Sequence, residues 1–201
     1  MCSSDLVSMI PVAGIEEARE YKEKGFLVAA ERDGIILDFA DLGNSPYNFS
    51  RENVEGKTIV YSTTNGTGII KMAASASAIV IGSFLNISSL AEWLSSQKND
   101  VMLFCAGWKN RFNLEDSICA GALAERLMET SLYSTICDST IAALDLWSLA
   151  KKDLREYINK AAHRARLKKN GLDDCIDFCL TPDYTRKIPF VNNGVLAADI
   201  S

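Results

Sequence analysis

Short apolar runs alternate with segments of helical pattern along most of the chain, and this alternation limits the possible folds more than any other feature. Unbroken apolar runs are typical of strands that are covered on both faces of a sheet. The pattern therefore predicts an α/β fold with helices on both faces of the sheet. The predicted strands are 7–12, 26–31, 56–61, 78–82, 101–107, 174–180 and 187–191. The predicted helices are 14–25, 66–76, 87–97, 114–129 and a long stretch, 140–170, that is broken once.

Composition argues against several classes of protein. The formal net charge of −5 argues against a nucleic-acid partner. No apolar run reaches the roughly 18 residues that a membrane span needs, and the start of the chain lacks the pattern of a secretory signal. The six cysteines contain no CxxC pair and there is a single histidine, so a zinc site is not expected. Reduced cysteines in apolar runs predict a cytoplasmic protein.

The hexapeptide STTNGT, residues 62–67, lies between a predicted strand and a predicted helix. Loops at this edge of an α/β sheet form the crevice in which ligands bind. Thr63, Thr64 and Thr67 offer hydroxyl groups there. Gly66 permits close approach of a ligand to the backbone, and a helix start favours an anion. A small-residue turn whose Thr and Asn side chains cap the helix explains the same letters, and both interpretations remain open.

A second stretch, CAGWKNRFNLED (residues 105–116), also runs from a predicted strand through small residues into a helix. Asn113 is expected to cap that helix. Glu115 and Asp116 fall in its first turn, where the helix dipole alone can explain two acids. Alternatively, one of them binds a hard cation such as Mg²⁺. Because both loops follow predicted strands, we expect them to share one edge of the sheet.

Two residues of this region could carry other chemistry. Cys105 ends a predicted buried strand, where a cysteine is more often an inert packing residue than a nucleophile. His163 lies among basic residues of a predicted helix. With no evident Ser or Cys nucleophile motif, it is expected to be a surface or interface residue rather than a general base.

A third stretch contains acids that structure alone explains poorly. Glu31 directly follows the apolar run FLVAA, so it would be desolvated unless it is paired or bound to a metal. Asp41, Asn44 and Ser45 lie in a loop whose turn chemistry also explains them.

Several motifs occur together in one order: GNSP, TTNGT, GSFLN, CAG followed by FNLED, and CAGAL. With the C-terminal pattern H…RL…G…D…FC…IP, they resemble the 2-phosphosulfolactate phosphatase family of coenzyme M biosynthesis. The resemblance extends from about Val7 to the end of the chain. It implies a three-layer α/β/α fold with a mixed sheet. It also implies Mg²⁺-dependent hydrolysis of a small anionic substrate, 2-phospho-3-sulfolactate, to 3-sulfolactate.

The resemblance also implies roles for individual residues. The implied metal ligands are Glu31, Asp41 and Asp116. The implied catalytic residues are Asp41, Glu115, Asp116 and, for a covalent phosphoenzyme that stays an open alternative, Cys105. The implied substrate-binding residues are Thr63, Thr64, Asn65, Gly66, Asn44, Ser45, Lys109 and Arg111. The contact of the last two with the sulfonate is our own inference, since an exposed basic pair is often only solvated.

The start of the chain departs from the family pattern. Residues 1–6, MCSSDL, begin no recognisable element and are predicted to be a non-native leader before a domain at 7–201. Family members begin with a strand that reads like DVxRAT, and it carries an acid and an arginine. We therefore expect a domain that lacks its first strand and has little activity.

A rival hypothesis is a non-catalytic domain that binds a phosphorylated metabolite. It predicts binding without turnover, and the carboxylates argue against it because phosphate binding alone gains nothing from them. A homodimer is a further expectation.

Overall fold

The computed structural model describes residues 7–63, 65–169, 171 and 173–197. The chain divides into two compact units. Unit 1 comprises residues 1–81 and 187–201, and unit 2 comprises residues 82–186. The predicted leader at 1–6 and the predicted ligand Thr64 lie outside the described residues.

Unit 1 is built around a sheet. Its elements are β1 (Ser8–Pro11), α1 (Ile15–Glu23), β2 (Leu27–Arg32), β3 (Ile35–Ile36), a 3₁₀ turn (Pro46–Phe49), α2 (Arg51–Val54), β4 (Thr58–Ser62), α3 (Gly66–Met72), β5 (Phe190–Asn192) and β6 (Val195–Ala197).

Among the described residues the sheet has six strands, in the order β3-β2-β4-β1-β6-β5. Strands β1 and β2 run parallel to β4, whereas β3, β5 and β6 pair antiparallel with their neighbours. The pairs Pro11–Tyr61 and Ala30–Ser62 bring the carboxyl ends of the three parallel strands to one edge. The predicted α/β class with a mixed sheet is confirmed.

Both faces of the central strands are buried, as their unbroken apolar sequences predict. Val28 and Ala30 point to a cluster that includes Ala18 of α1. Ala29, between them, points the opposite way and packs with Val54 of α2. Side chains of a strand alternate between faces, so a run without polar residues needs a cover on each side.

Turn residues end the elements where the sequence predicts. Helix α1 ends at Glu23, and Gly25 shortly after it has φ of +86°, the left-handed conformation that glycine adopts without strain. Asp33 and Gly34 have φ of 57° and 81° and connect β2 to β3. Asn193 and Gly194 connect β5 to β6 in the same way.

Among the described residues of unit 2, the regular elements are helices. Its elements are a 3₁₀ turn (Phe84–Asn86), α4 (Ile87–Gln97), α5 (Leu114–Glu129), α6 (Asp138–Ala150), α7 (Leu154–Ile158), α8 (Ala162–Lys169) and α9 (Ile176–Cys179). Helices α5 and α6 pack closely, because a Cβ added at Gly121 would lie 2.0 Å from the carbonyl oxygen of Ala143.

Two strand predictions are wrong, one in part and one as a whole. Residues 78–82 form only an isolated bridge, between Val80 and Phe190. Residues 101–107 form no strand, and Met102 in this segment is 85% exposed. A strand needs neighbours that take its backbone hydrogen bonds, and no described segment pairs with 101–107. The prediction that both candidate loops share one edge of the sheet assumed a strand at 101–107, and this segment is not a strand.

Two further predictions, for 174–180 and for 140–170, also need correction. The segment 174–180 contains helix α9 rather than a strand, with Ile176 buried. The long stretch 140–170 is interrupted twice rather than once, between α6 and α7 and between α7 and α8. Asp153 stops the continuation, since its side chain caps α7 by accepting from the N–H of Glu156 at 2.9 Å.

No described helix combines the length and the apolar character that a membrane crossing requires.

Candidate functional site

Arg32 connects the carboxyl ends of the three parallel strands in unit 1. Its Nη1 donates to the carbonyl oxygens of Glu31 and Ser62, at 2.6 and 3.2 Å. Its Nη2 donates to the carbonyl oxygen of Ala13, at 3.2 Å, and to the hydroxyl of Ser62, at 2.9 Å. All four acceptors are uncharged, and no described carboxylate forms an ion pair with Arg32. The positive charge at this edge is therefore held in place without being neutralised.

Glu31 has the partner that its position after an apolar run requires. The residue is 4% exposed, and its Oε2 accepts from the N–H of Gly34 at 2.7 Å. Burial, reinforced by the charge of Glu31, raises the pKa of Tyr61 to about 12. The turn after β2 thus stabilises a buried carboxylate at the carboxyl end of that strand.

The loop after β4 is open rather than tightly packed. Among the described residues, no atom comes within 4 Å of a Cβ added at Gly68, and the nearest atom to one at Gly66 is 3.6 Å away. The side chain of Asn65 makes no capping hydrogen bond to α3. Thr67 is 3% exposed and its hydroxyl lies 3.5 Å from the carbonyl oxygen of Thr63. Thr67 is therefore packed, whereas the positions of Gly66 and Gly68 leave room for a ligand beside the backbone.

Asn44 and Ser45 approach the same edge of unit 1. The chain at Leu42 runs parallel to β2 beside Ala29, so the residues after Leu42 continue toward the carboxyl end of that strand. Ser45 precedes the 3₁₀ turn without capping it through its side chain. Both predicted ligands are thus compatible with a site at this edge.

Asp41 lies at the other end of β2. Its Oδ2 accepts from the N–H of Val28 at 2.9 Å, and its Oδ1 pairs with the ammonium of Lys22. Burial disfavours the ionised form, but the hydrogen bonds from Lys22 and Val28 outweigh it and lower the pKa of Asp41. Because a strand rises about 3.3 Å per residue, Val28 and Glu31 are separated by roughly 10 Å. The structure does not bring Asp41 and Glu31 together.

The implied metal cage does not form as a set. Among the described residues, no group of three or more His, Cys, Asp or Glu side chains could hold a metal ion together. Both oxygens of Asp41 already have partners. Mg²⁺ often uses one or two carboxylates with water and substrate phosphate, so a single carboxylate such as Glu31 or Asp116 suits it better than the predicted trio.

A rigid loop precedes α5 in unit 2. Trp108 and Arg111 exchange two backbone hydrogen bonds of 3.0 Å, with Lys109 and Asn110 between them at φ of 50° and 59°. Gly107 has φ of +67°, and a Cβ there would lie 2.5 Å from the carbonyl oxygen of Arg111. Left-handed non-glycine residues cost energy and persist where the surroundings fix them. Here the loop geometry requires glycine at 107.

The two acids of α5 hold partly buried positions. Asn113 caps the helix as predicted, accepting from the N–H of Glu115 at 3.1 Å. Asp116 accepts from the N–H of Gly107 at 2.6 Å, which ties the loop to the helix. Burial raises the pKa of both Glu115 and Asp116 above its ordinary value. A carboxyl with a raised pKa is suited to proton transfer near neutral pH.

Helix α8 adds two residues to this region that the sequence did not single out as functional. His163 and Arg166 both contact Trp108, with ring centroids 6.2 Å apart for His163 and the guanidinium carbon 4.2 Å from the ring for Arg166. His163 is partly buried, which is compatible with the predicted surface or interface position. Its charge, if present, would lower the pKa of Asp116 against the larger effect of burial.

The remaining predicted residues of unit 2 differ in exposure. Lys109 and Arg111 are exposed, and the ammonium of Lys109 lies 5.6 Å from the ring of Trp108. Cys105 is partly buried, and burial together with the nearby Asp116 raises its pKa. A raised pKa disfavours the thiolate, which supports the packing role of Cys105 over the nucleophilic one.

Comparison with known proteins identifies the family. The sequence profile of the family described as 2-phosphosulpholactate phosphatase matches residues 3–194. The chain belongs to the 2-phosphosulfolactate phosphatase family. A protein of Thermotoga maritima named "Probable 2-phosphosulfolactate phosphatase" is 39% identical over 193 residues, which cover 96% of this chain and 82% of the relative.

Other members of the family are similar over comparable lengths. Proteins of the same name from Caldanaerobacter subterraneus subsp. tengcongensis and Clostridium acetobutylicum are 34% and 31% identical. The matches cover 94% and 92% of this chain and 79% and 80% of those relatives. The resemblance expected from the motif order is therefore confirmed.

Sequence reasoning missed Arg32, Trp108 and Arg166 as candidate residues of this family member. Arg32 had a weak signal, as it directly follows the unexplained acid Glu31 at a strand end. Trp108 lies in CAGWKNRFNLED and Arg166 in the H…RL pattern, but no role was predicted for them because their contact joins positions far apart in the chain.

Proposed function

We propose that this protein hydrolyses the phosphate monoester of 2-phospho-3-sulfolactate, releasing 3-sulfolactate and inorganic phosphate. Membership of the family and the names of its relatives support this reaction. The observation that carries the proposal is the fixed, unneutralised guanidinium of Arg32 at the carboxyl edge of unit 1. Its four Nη hydrogens are engaged by the uncharged acceptors described above, so Arg32 would act on phosphate through its positive charge and its Nε–H.

The residues of this edge account for phosphate binding. Arg32 supplies positive charge, and Thr63 with the open backbone at Gly66 supplies further donors. Charge that develops on the phosphoryl oxygens during attack by water is then stabilised by groups that are already in position. Ser62, fully buried, positions Arg32 through its hydroxyl and carbonyl oxygens.

Proton transfer is proposed for the acids of α5. Departure of the substrate alcohol requires a proton, and burial raises the pKa of Glu115 and Asp116 toward the range in which a carboxyl can provide one. Asp41 is not included, because its oxygens are engaged at the amino end of β2.

Magnesium dependence is part of the proposal. When bound, Mg²⁺ would neutralise phosphate oxygens, with Glu31 or Asp116 as a protein ligand. No step above is assigned to the ion, because the predicted three-carboxylate set is not assembled among the described residues.

We also propose a cytoplasmic location and a place in coenzyme M biosynthesis, as the resemblance implies. The described cysteines are all free thiols, which is typical of a reducing compartment. The homodimer stays a prediction.

The test is release of phosphate from 2-phospho-3-sulfolactate by the purified chain, with Mg²⁺ and with a chelator. As the sequence predicts little activity, we expect slow but measurable turnover that Mg²⁺ supports and that R32Q and R32K reduce further. The matched control is R51Q, because Arg51 is an exposed arginine paired with Glu55 on α2. Saturable binding of the substrate with no phosphate release under any condition would favour the non-catalytic binding domain instead.

A further inference from the structure

Trp108 is the centre of a cationic cluster in unit 2. The guanidinium carbon of Arg166 lies 4.2 Å from the centre of its ring, within the range of a cation–π contact. The ammonium of Lys109 lies 5.6 Å from the same ring. The imidazole of His163 packs beside it, tilted by 45°. One aromatic ring therefore holds two obligate cations.

Contacts with two rings fix Arg166. Its Nη2 lies 3.3 Å from Nδ1 of His163. A guanidinium has no lone pair to offer, so in this contact Arg166 is the donor and Nδ1 the acceptor. The face of Trp108 and the imidazole orient the planar fork of Arg166 without cancelling its charge.

Other arginines of unit 2 show what a purely structural role looks like. Arg164, two residues earlier on α8, is 5% exposed and pairs with Asp173. Arg155 pairs with Asp177, with its Nε 3.0 Å from the carboxylate. Each has an acidic partner, as the buried cation of Arg164 in particular requires.

Arg166 has no such partner among the described residues. Its Nε is shielded from solvent and has no hydrogen-bond acceptor there. Burial raises the pKa of Glu115, and the charge of Arg166 offsets part of that rise, but the two side chains form no ion pair. Arg155 also has one shielded nitrogen without a hydrogen-bond acceptor, so what distinguishes Arg166 is that it has no carboxylate partner among the described residues.

The loop that carries Trp108 is too constrained to adjust. Its two left-handed residues, Lys109 and Asn110, and the glycine required at 107 fix the turn. The N–H of Gly107 is tied to Asp116 of α5. A rigid platform keeps Arg166 ready for a ligand, so binding would not have to order it first.

We propose that Arg166, stacked on Trp108, binds a tetrahedral oxyanion group of the substrate, with Lys109 as a secondary contact. This inference rests on the proposed function, whose substrate carries two such groups, a phosphate and a sulfonate. It also revises the sequence hypothesis, which gave the anion contact to Lys109 and Arg111. The shared chemistry is an oxygen-rich anion that accepts from the fork of Arg166.

The experiment measures anion binding separately from turnover. Wild type, R166Q, R166K and the control R186Q are titrated with inorganic phosphate and with 2-hydroxyethanesulfonate at low ionic strength, by calorimetry and tryptophan fluorescence. W108F identifies the part of the fluorescence signal that comes from Trp108. Arg186 is a suitable control because its side chain is 89% exposed and its ion pair with Glu92 is long, at 4.0 Å. Melting temperatures confirm that each variant is folded.

We expect R166Q to bind at least one anion about ten- to a hundredfold more weakly than R186Q, the range for loss of a hydrogen bond to a charged group. The anion whose affinity falls identifies the group that Arg166 contacts. R166K keeps the charge but loses the planar fork, so it should be weakened by a smaller factor. If R166Q does not fold, R166K decides the question.

Two results would overturn the inference: wild-type protein that binds neither anion, or folded variants at 166 that bind both as tightly as R186Q. The outcome is independent of the reaction itself. Anion binding that depends on Arg166 without phosphate release would leave this inference standing and contradict the proposed function. Turnover by R166Q with an unchanged KM would support the proposed function and contradict this inference.

Discussion

Replacing Asp116 by asparagine separates its two roles, the tie to the loop and the acid. In the wild type, Oδ2 accepts from the N–H of Gly107 at 2.6 Å. Asparagine keeps an acceptor at nearly the same place. The hydrogen bond changes from one to a charged group, about 1.5–3 kcal/mol, to a neutral one, about 0.5–1.5 kcal/mol. D116N therefore loses roughly 1 kcal/mol from this contact.

A second effect opposes that loss. Burial raises the pKa of Asp116 above its ordinary value of 3.8, so the folded protein disfavours its ionised form. The stability that Asp116 contributes is fully present below pH 3.8 and is lost as the pH rises through the raised pKa. Asparagine does not ionise, so D116N does not lose this stability as the pH rises. At pH 7 we expect its free energy of unfolding to be within about 1 kcal/mol of wild type, and its relative stability to improve from acidic to neutral pH.

Activity should respond far more strongly. Loss of a general acid or base typically costs a hundredfold or more, so kcat/KM of D116N should fall by about that factor. The assays are phosphate release and urea unfolding followed by circular dichroism at acidic and neutral pH. The control is D153N, because Asp153 is a helix-capping acid with the same kind of bond, to the N–H of Glu156 at 2.9 Å. Unchanged kcat/KM in D116N would show that Asp116 only ties the loop to α5.

Three further predictions test other parts of the structure. G107A should cost more stability in thermal melts than G25A, since both glycines have positive φ but only Gly107 would place its Cβ 2.5 Å from a carbonyl oxygen; equal losses would contradict the close contact. C105S should keep most of the phosphatase activity because burial disfavours the thiolate, and complete loss would instead favour a cysteinyl phosphoenzyme. D41N should lower the free energy of unfolding by about 1 kcal/mol and leave kcat/KM near the wild-type value. The difference in stability should shrink as the pH falls through the lowered pKa of Asp41. A large fall in kcat/KM would show that Asp41 is catalytic after all.

Much of unit 1 could be predicted from the sequence because its signals are local. The apolar runs at Val28–Ala30 and Ile59–Val60 specify buried strands, and glycine at 25 marks the end of a helix. The dipeptides Asp33-Gly34 and Asn193-Gly194 specify turns by their tolerance of positive φ.

The errors arise where a long-range partner decides the outcome. The segment 101–107 is as apolar as a central strand, yet without a described neighbour to pair with it is not a strand. The segment 174–180 has no pattern that distinguishes a strand from a helix, and it contains helix α9 with Ile176 buried.

The candidate site shows the same division. The cap at Asn113 and the acids of the first turn of α5 follow from sequence position alone. By contrast, the separation of Asp41 from Glu31 depends on how the chain after β3 returns beside β2. The contact of Arg166 with Trp108 depends on the packing of α8 against a loop far earlier in the chain, and no local pattern encodes it.

Phosphorus NMR of 2-phospho-3-sulfolactate incubated with the purified chain tests the central claim most directly, because it observes the bond that the proposed reaction breaks. We predict that the monoester signal decays while inorganic phosphate grows in equal amount, more slowly with R32Q and at the wild-type rate with R51Q. A monoester signal that shifts or broadens on binding, yet keeps its full intensity at every Mg²⁺ concentration, would contradict the account.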